Sequence, residues 1–179
     1  MDTKSVEDND YIEKSADLSM RDTHALIQHI RNLDHGHEPL VQPTLTPRFA
    51  LSCSDELLIL LGHLATLEPT LRIQTHISES KDEVCLVRRR FGTTYAEVYN
   101  KYGLLGKNTI LGHAVHLNED EVELIKQKGA GISHCPTSNF NLNSGIAPIG
   151  YYLDRGVKVR LFSSVMMEYI FIRYFLRLG

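Results

Sequence analysis

The chain has no excess of positive charge, no paired-cysteine spacing and no apolar run long enough to cross a bilayer. At a formal net charge of -3 there is no basic footprint, which excludes nucleic acid as an expected partner. Its three cysteines, Cys53, Cys85 and Cys135, are odd in number and lack C-x-x-C spacing. A disulfide framework is therefore not expected, and a reducing compartment, the cytoplasm, is. The opening MDTKSVEDND is acidic and polar, the opposite of a signal or transit peptide. The apolar run Val165 to Leu178 is broken by Glu168, Arg173 and Arg177. It falls short of the roughly 20 residues a spanning helix needs, so no membrane partner is expected. What remains, 42% hydrophobic and 23% charged residues over 179 positions, is the composition of one globular unit.

Hydrophobic spacing divides the chain into alternating short apolar runs and amphipathic stretches. Residues 9–33 have helical spacing, and Asp34 to Pro43 carries Gly36, Pro39 and Pro43 and reads as loop. Strands are expected at 44–49, 71–78, 108–115, 130–134 and 157–162. Helices are expected at 55–67, 81–90, 93–101, 119–128 and within 146–154. Asn118 is placed as an N-cap, with Asp120 and Glu121 in the first turn and Gly129 at the end. Strand followed by helix, repeated, predicts βα units and a parallel sheet. A complete eight-stranded βα barrel takes roughly 250 residues, so the reading is α/β, a barrel in part or a smaller open sheet.

The segment Leu71-Arg-Ile-Gln-Thr-His-Ile-Ser-Glu79 carries the most chemistry. A strand alternates faces, so Leu71, Ile73, Thr75 and Ile77 point toward helices while Gln74 and His76 point into a crevice or barrel interior. His76 then stands at the C-terminal end of its strand, where βα barrels carry their sites. An imidazole there can ligate zinc, and Glu79 in the following loop can reach a reacting water. Taken alone, the same segment also fits a buried structural histidine beside a helix-capping glutamate. Two further strands end in His113 and His134, the latter opening the polar run Cys-Pro-Thr-Ser-Asn139, and another ends in Arg48-Phe49. Histidines and an arginine at one end of successive strands make a pocket. His63 and His116 read as surface or core-edge residues.

The ordered set TPRF, THISE, GHAVHL and SHCPTSN resembles the guanine deaminase family, zinc-dependent purine deaminases of the amidohydrolase superfamily. The resemblance covers about Tyr11 to Leu161 and implies a partial (β/α)8 TIM-type barrel holding about strands four to eight. It implies a barrel-related domain over 1–161 and a divergent hydrophobic tail over 162–179. It further implies hydrolytic deamination of guanine to xanthine and ammonia, part of purine catabolism. In that reading Arg48 and Phe49 hold the purine, with His76 and Glu79 also lining the substrate. His76 binds one zinc ion. Glu79 moves the proton, and His113 acts beside the metal. His134 and Asn139 line the pocket floor. Guanine or a related purine is the expected small-molecule partner, and the full-length family implies a homodimer.

The sequence departs from the family pattern at two places. The family's first strand carries a His-x-His pair that joins the THISE histidine on zinc, and this chain opens past that strand. His35-Gly-His37 has the same spelling but lies in the Pro/Gly loop, and reads as surface. The family's last ligand, an aspartate in a Gly-Thr-Asp context, has Ser164 at its ungapped place. A zinc site takes about three or four protein ligands, so the expectation is that the chain by itself does not hold zinc and is inactive. Two alternatives are a non-catalytic paralogue or isoform pairing with full-length subunits, and an amidohydrolase acting on another purine- or triazine-like ring.

Overall fold

In a computed structural model the chain is described over residues 2–3, 12–33 and 41–161. Five strands, β1 (Thr44–Leu45), β2 (Arg72–Ile77), β3 (Thr109–His113), β4 (Gly131–His134) and β5 (Lys158–Leu161), form one sheet in chain order. Every neighbouring pair is parallel. Parallel neighbours need crossovers, which helices supply. The helices are α1 (Ala16–Asn32), α2 (Asp55–Leu67), α3 (Lys81–Phe91), α4 (Tyr95–Lys101), α5 (Glu119–Lys128), α6 (Pro136–Asn141) and α7 (Ile149–Asp154). This is the βα order of a (β/α)8 barrel, present in part.

The helix boundaries follow local chemistry. The side chains of Ser15, Ser54, Ser80 and Asn118 accept from the N–H groups of Leu18, Leu57, Glu83 and Glu121, opening four helices. Gly92 and Gly129, both at φ 71°, close α3 and α5 in the left-handed conformation that glycine adopts without strain. The core lies between sheet and helices. Leu45, Ile73, Ile77, Leu111 and Ile132 face Leu57, Leu58, Val87, Tyr95, Tyr99, Ile125 and Tyr152, all buried. No described helix is long and apolar enough to cross a membrane.

Three elements differ from the sequence expectation. The first strand shrinks from 44–49 to two residues, because Pro47 has no N–H to give a ladder. Arg48 and Phe49 then lead into a 3₁₀ turn, Ala50–Ser52. The Pro-Thr-Ser-Asn stretch, expected as a polar loop, is the short helix α6, with Pro136 in its first turn where a missing N–H costs nothing. The first helix starts at Ala16, later than the expected residue 9, and residues 9–11 lie outside the described residues. His35, His37, Ser164 and the 162–179 tail also lie outside the described residues.

Candidate active site

Register builds one end of the sheet into a site. His76 pairs with Gly112, Gly112 with Ser133, and Ser133 with Arg160. Side chains at registered positions share a face, so this row stands at one level on the side away from the helices. Gly112 is there for space: a Cβ on it would lie 3.2 Å from His76 Cδ2 and 3.8 Å from Gln74 Nε2. The same contacts place Gln74 and His76 together on that face, as strand alternation predicts. Thr75, between them, turns the other way and donates to the Tyr99 hydroxyl at 2.9 Å.

The strand ends then bend sharply. Ser78, His113 and Ala114 have φ of 49°, 71° and 50°, a left-handed region that costs non-glycine residues about 1–2 kcal/mol each. Such strain persists only where surroundings impose it. Here the Ala114 N–H donates to Ile77 O at 3.0 Å, while the Val115 and His116 N–H groups share Ser78 O at 3.1 and 3.0 Å. The Tyr152 hydroxyl donates to Ala114 O at 2.8 Å. These bonds lash the two bends together and bring the His113 ring to 4.8 Å from that of His76, edge to face at 88°.

Three of the residues singled out from sequence therefore meet. One ligand-type atom from each of His76, Glu79 and His113 lies within 4.8 Å of the other two. Glu79 Oε1 is 3.5 Å from His113 Nδ1 and accepts from the Ser144 hydroxyl at 3.3 Å. Burial, with the positive fields of His113 and Arg48 behind it, pushes the His76 imidazole down to about 4. The ring is thus neutral near pH 7, the form that offers a lone pair to a metal. His113 Nδ1 meets Asn139 Oδ1 at 2.8 Å; with the carboxamide oxygen as acceptor, the proton sits on Nδ1 and Nε2 is left to act.

A metal fits this group. Two imidazoles with a carboxylate in reach are donor types suited to zinc. Beside it, Asn139 Nδ2 and Ser78 Oγ are buried polar atoms without a protein hydrogen-bond partner, the condition of groups that await one.

The remaining sequence candidates are placed as follows. Arg48 is exposed and lies over the Phe49 ring, its guanidinium carbon 5.7 Å from the centroid. The Arg48 carbonyl accepts from the His76 N–H at 2.9 Å, so the Arg-Phe turn is tied to β2 at the histidine. His134 closes β4 but is not part of the His76–Glu79–His113 group. Its Nδ1 is buried without a partner, and burial lowers its basicity. His63 is exposed; His116 is half-buried and its Nε2 meets Ser144 O at 2.8 Å.

Three site residues escaped the sequence reading. Ser144 touches Glu79, and nothing in its Asn-Ser-Gly setting marks it. Glu83 accepts the Glu79 N–H at 2.9 Å and is itself fixed by the Tyr95 hydroxyl at 2.6 Å. Its signal was legible: Ser80-x-x-Glu83 is a capping-box pattern. Tyr99 carries no signal in the sequence beyond its place in a helix.

The geometry has counterparts among known proteins. The amidohydrolase family profile matches residues 2–170. A probable guanine deaminase of Schizosaccharomyces pombe is 47% identical over 161 residues, covering 89% of this chain and 30% of the relative. The structure of guanine deaminase from C. acetobutylicum with guanine bound superposes with a TM-score of 0.81 at 38% identity, covering 90% of this chain and 37% of that one. Atrazine chlorohydrolase from Arthrobacter aurescens TC1, complexed with zinc, superposes with a TM-score of 0.76 at 25% identity, covering 87% and 33%. The chain thus spans about a third of the length of these relatives.

Proposed function

This chain belongs to the amidohydrolase family, and on that premise we propose that it forms the purine-holding and proton-moving part of a guanine deaminase site. The observation that carries the reading is the convergence of His76, Glu79 and His113 within 4.8 Å beside the Arg48–Phe49 turn. The 47% and 38% identities to proteins named for guanine deamination support the substrate. The triazine-ring relative shares the fold at a lower 25% identity, which leaves a purine as the favoured ring.

Zinc is the ion we propose, held by His76 and His113 with Glu79 in reach; when bound, it acidifies water and supplies a nucleophile near neutral pH. The protein side of the reaction follows from the residues. The Phe49 ring offers a stacking face and Arg48 offers guanidinium donors to the acceptor edge of guanine. Glu79 takes one proton from the attacking water and delivers it to the ring nitrogen, then carries the remaining hydroxyl proton to the leaving amine as the carbonyl forms. Water adds at the amino-bearing carbon, the C–N bond breaks, and xanthine and ammonia leave. With its Nδ1 engaged by Asn139 Oδ1 at 2.8 Å, His113 would offer Nε2 to the metal. Positioned proton transfer of this kind contributes ~10²–10⁴-fold.

The test places residues 41–161 of this chain into the Schizosaccharomyces pombe relative in place of its matching segment and follows ammonia release from guanine. Activity is expected, and Glu79→Gln in the exchanged segment lowers kcat by ~10²–10⁴ with zinc retained. A hybrid that folds and binds zinc but releases no ammonia from guanine would sink the reading. So would full activity after Glu79→Gln. We place the reaction in purine catabolism in the cytoplasm, as a homodimer; free Cys53, Cys85 and Cys135 support a reducing setting.

A further inference from the structure

The α4 helix contributes no ligand to the site, yet one of its side chains touches three of the site's supports. Tyr99 is fully buried behind β2. Its hydroxyl donates to the His76 carbonyl at 2.6 Å. It accepts from the Ala50 N–H at 3.1 Å and from the Thr75 hydroxyl at 2.9 Å. A phenol oxygen has one proton and two acceptor positions, so every bonding capacity it has is used. Burial drives the hydroxyl well above its ordinary ionisation range, so the proton it donates is always present.

These three bonds have a common consequence. Ala50 follows Arg48 and Phe49 directly, and its N–H is the first donor of the 3₁₀ turn that ends their loop. Thr75 and His76 are consecutive on β2. The two sides are otherwise joined at this point by the His76 N–H to Arg48 O bond at 2.9 Å, with a longer 3.4 Å contact from Thr75 Oγ1. β1 itself pairs with β2 through two residues only, Thr44 and Leu45, so the ladder ends before Arg48 is reached. Beyond that ladder, the spacing between the Arg-Phe turn and His76 is set by the His76 N–H to Arg48 O bond together with the bonds to Tyr99.

We propose that Tyr99 is a positioning residue that holds the purine-contacting Arg48–Phe49 turn in register with His76. The proposal rests on the reading of Arg48, Phe49 and His76 given above. It predicts that loss of one oxygen, deep in the core and remote from solvent, displaces the imidazole and the Phe49 ring without displacing His63 or His116. Tyr99 holds the His76 backbone and not its ring nitrogen, so Tyr99→Phe weakens metal binding by less than the ~10–100-fold that ring-nitrogen partners are worth.

The experiment uses the 179-residue chain as wild type, Tyr99→Phe and Tyr102→Phe, the last a tyrosine at the end of α4 whose hydroxyl meets Asp55 outside the site. Ring signals of His76 and Phe49 are followed by NMR with metal removed, and Co²⁺ is then titrated by visible absorption. In Tyr99→Phe the His76 and Phe49 signals shift, His63 and His116 stay in place, and Co²⁺ binds more weakly, by less than ~10-fold. In Tyr102→Phe all of these hold. Unmoved His76 and Phe49 signals in Tyr99→Phe overturn the inference, even if the denaturation midpoint falls, since a merely structural tyrosine would lower the midpoint alone. A wild-type chain that takes up no Co²⁺ counts against the metal reading of the site and leaves the ring signals to decide this one. Should Tyr99→Phe fail to fold, Thr75→Val removes one donor to the hydroxyl and is judged by the same signals.

Discussion

Gly62→Ala sets two ordinary effects against each other, and the structure says which one wins. Gly62 lies inside α2, where alanine is favoured over glycine by about 1 kcal/mol. A Cβ there would stand 1.8 Å from the carbonyl oxygen of Tyr102 and 3.0 Å from its carbonyl carbon. Non-bonded heavy atoms rest near 3.5 Å, so α2 and the turn that ends α4 must part by roughly 1.5 Å. The obstacle is backbone, which no change of rotamer removes. Overpacking costs about 1–3 kcal/mol, and the upper figure applies. The net expectation is destabilisation by roughly 2 kcal/mol, or a Tm lower by about 4–8 °C at this chain length. Urea unfolding followed by far-UV circular dichroism measures it, as a lower midpoint at unchanged slope. Gly106→Ala is the control: nothing lies within 4 Å of its Cβ and its φ is not left-handed, so it changes stability by less than about 0.5 kcal/mol. A Gly62→Ala chain as stable as wild type would refute the packing of α2 against α4, and with it the placement of Tyr99.

Gly112→Ala presses a methyl group to within 3.2 Å of the His76 ring; we expect weaker metal binding in a Co²⁺ titration with little loss of stability, and unchanged affinity would argue that the ring has room. With metal removed, an imidazole NMR titration finds His76 protonating near 4 rather than at 6.5. The folded value lies below the ordinary one, so the unfolded chain takes the proton first as pH falls. This contribution to stability is complete above about 6.5 and is lost progressively down to about 4. His76→Asn lacks that loss, and identical pH profiles of the two chains would contradict it. Among the thiols, exposed Cys85 reacts first with a maleimide. Burial pushes Cys53 up to about 11, so only about a thousandth of it is thiolate at pH 8 and it reacts only on unfolding; equal rates would contradict its burial.

Much of this architecture was legible because its signals are local. A serine or asparagine before an apolar period opens α2, α3 and α5, and glycines close two of them. Strand alternation set the faces of β2 and so the direction of His76. The short α6 is not legible because Pro-Thr-Ser-Asn reads as turn residues, whereas Pro136 sits in a helix's first turn, the one helical place that suits it. β1 is shorter than its pattern for a related reason: the alternation of Leu45, Pro47 and Phe49 continues, but the ladder needs an N–H that Pro47 lacks. Tyr99 could not be found from sequence, because its partners Ala50, Thr75 and His76 are between 23 and 49 residues away.

His113 shows where local rules reach their limit. Its register partner is Ile77, whose side chain is buried toward the helices, and its neighbour Gly112 faces His76. Strict alternation would therefore send the His113 side chain to the helix side, away from the site. The left-handed turn at His113 and Ala114 breaks the alternation and swings the ring back to 4.8 Å from His76. No residue in Gly-His-Ala-Val announces such a turn, and its cost is borne by distant groups: Ile77 O, Ser78 O and the Tyr152 hydroxyl, the last 38 residues along the chain. A histidine at a strand's end can be suspected of chemistry from its position. Which way it faces is decided by these contacts, and it is the strained turn that makes His76, Glu79 and His113 one group rather than two.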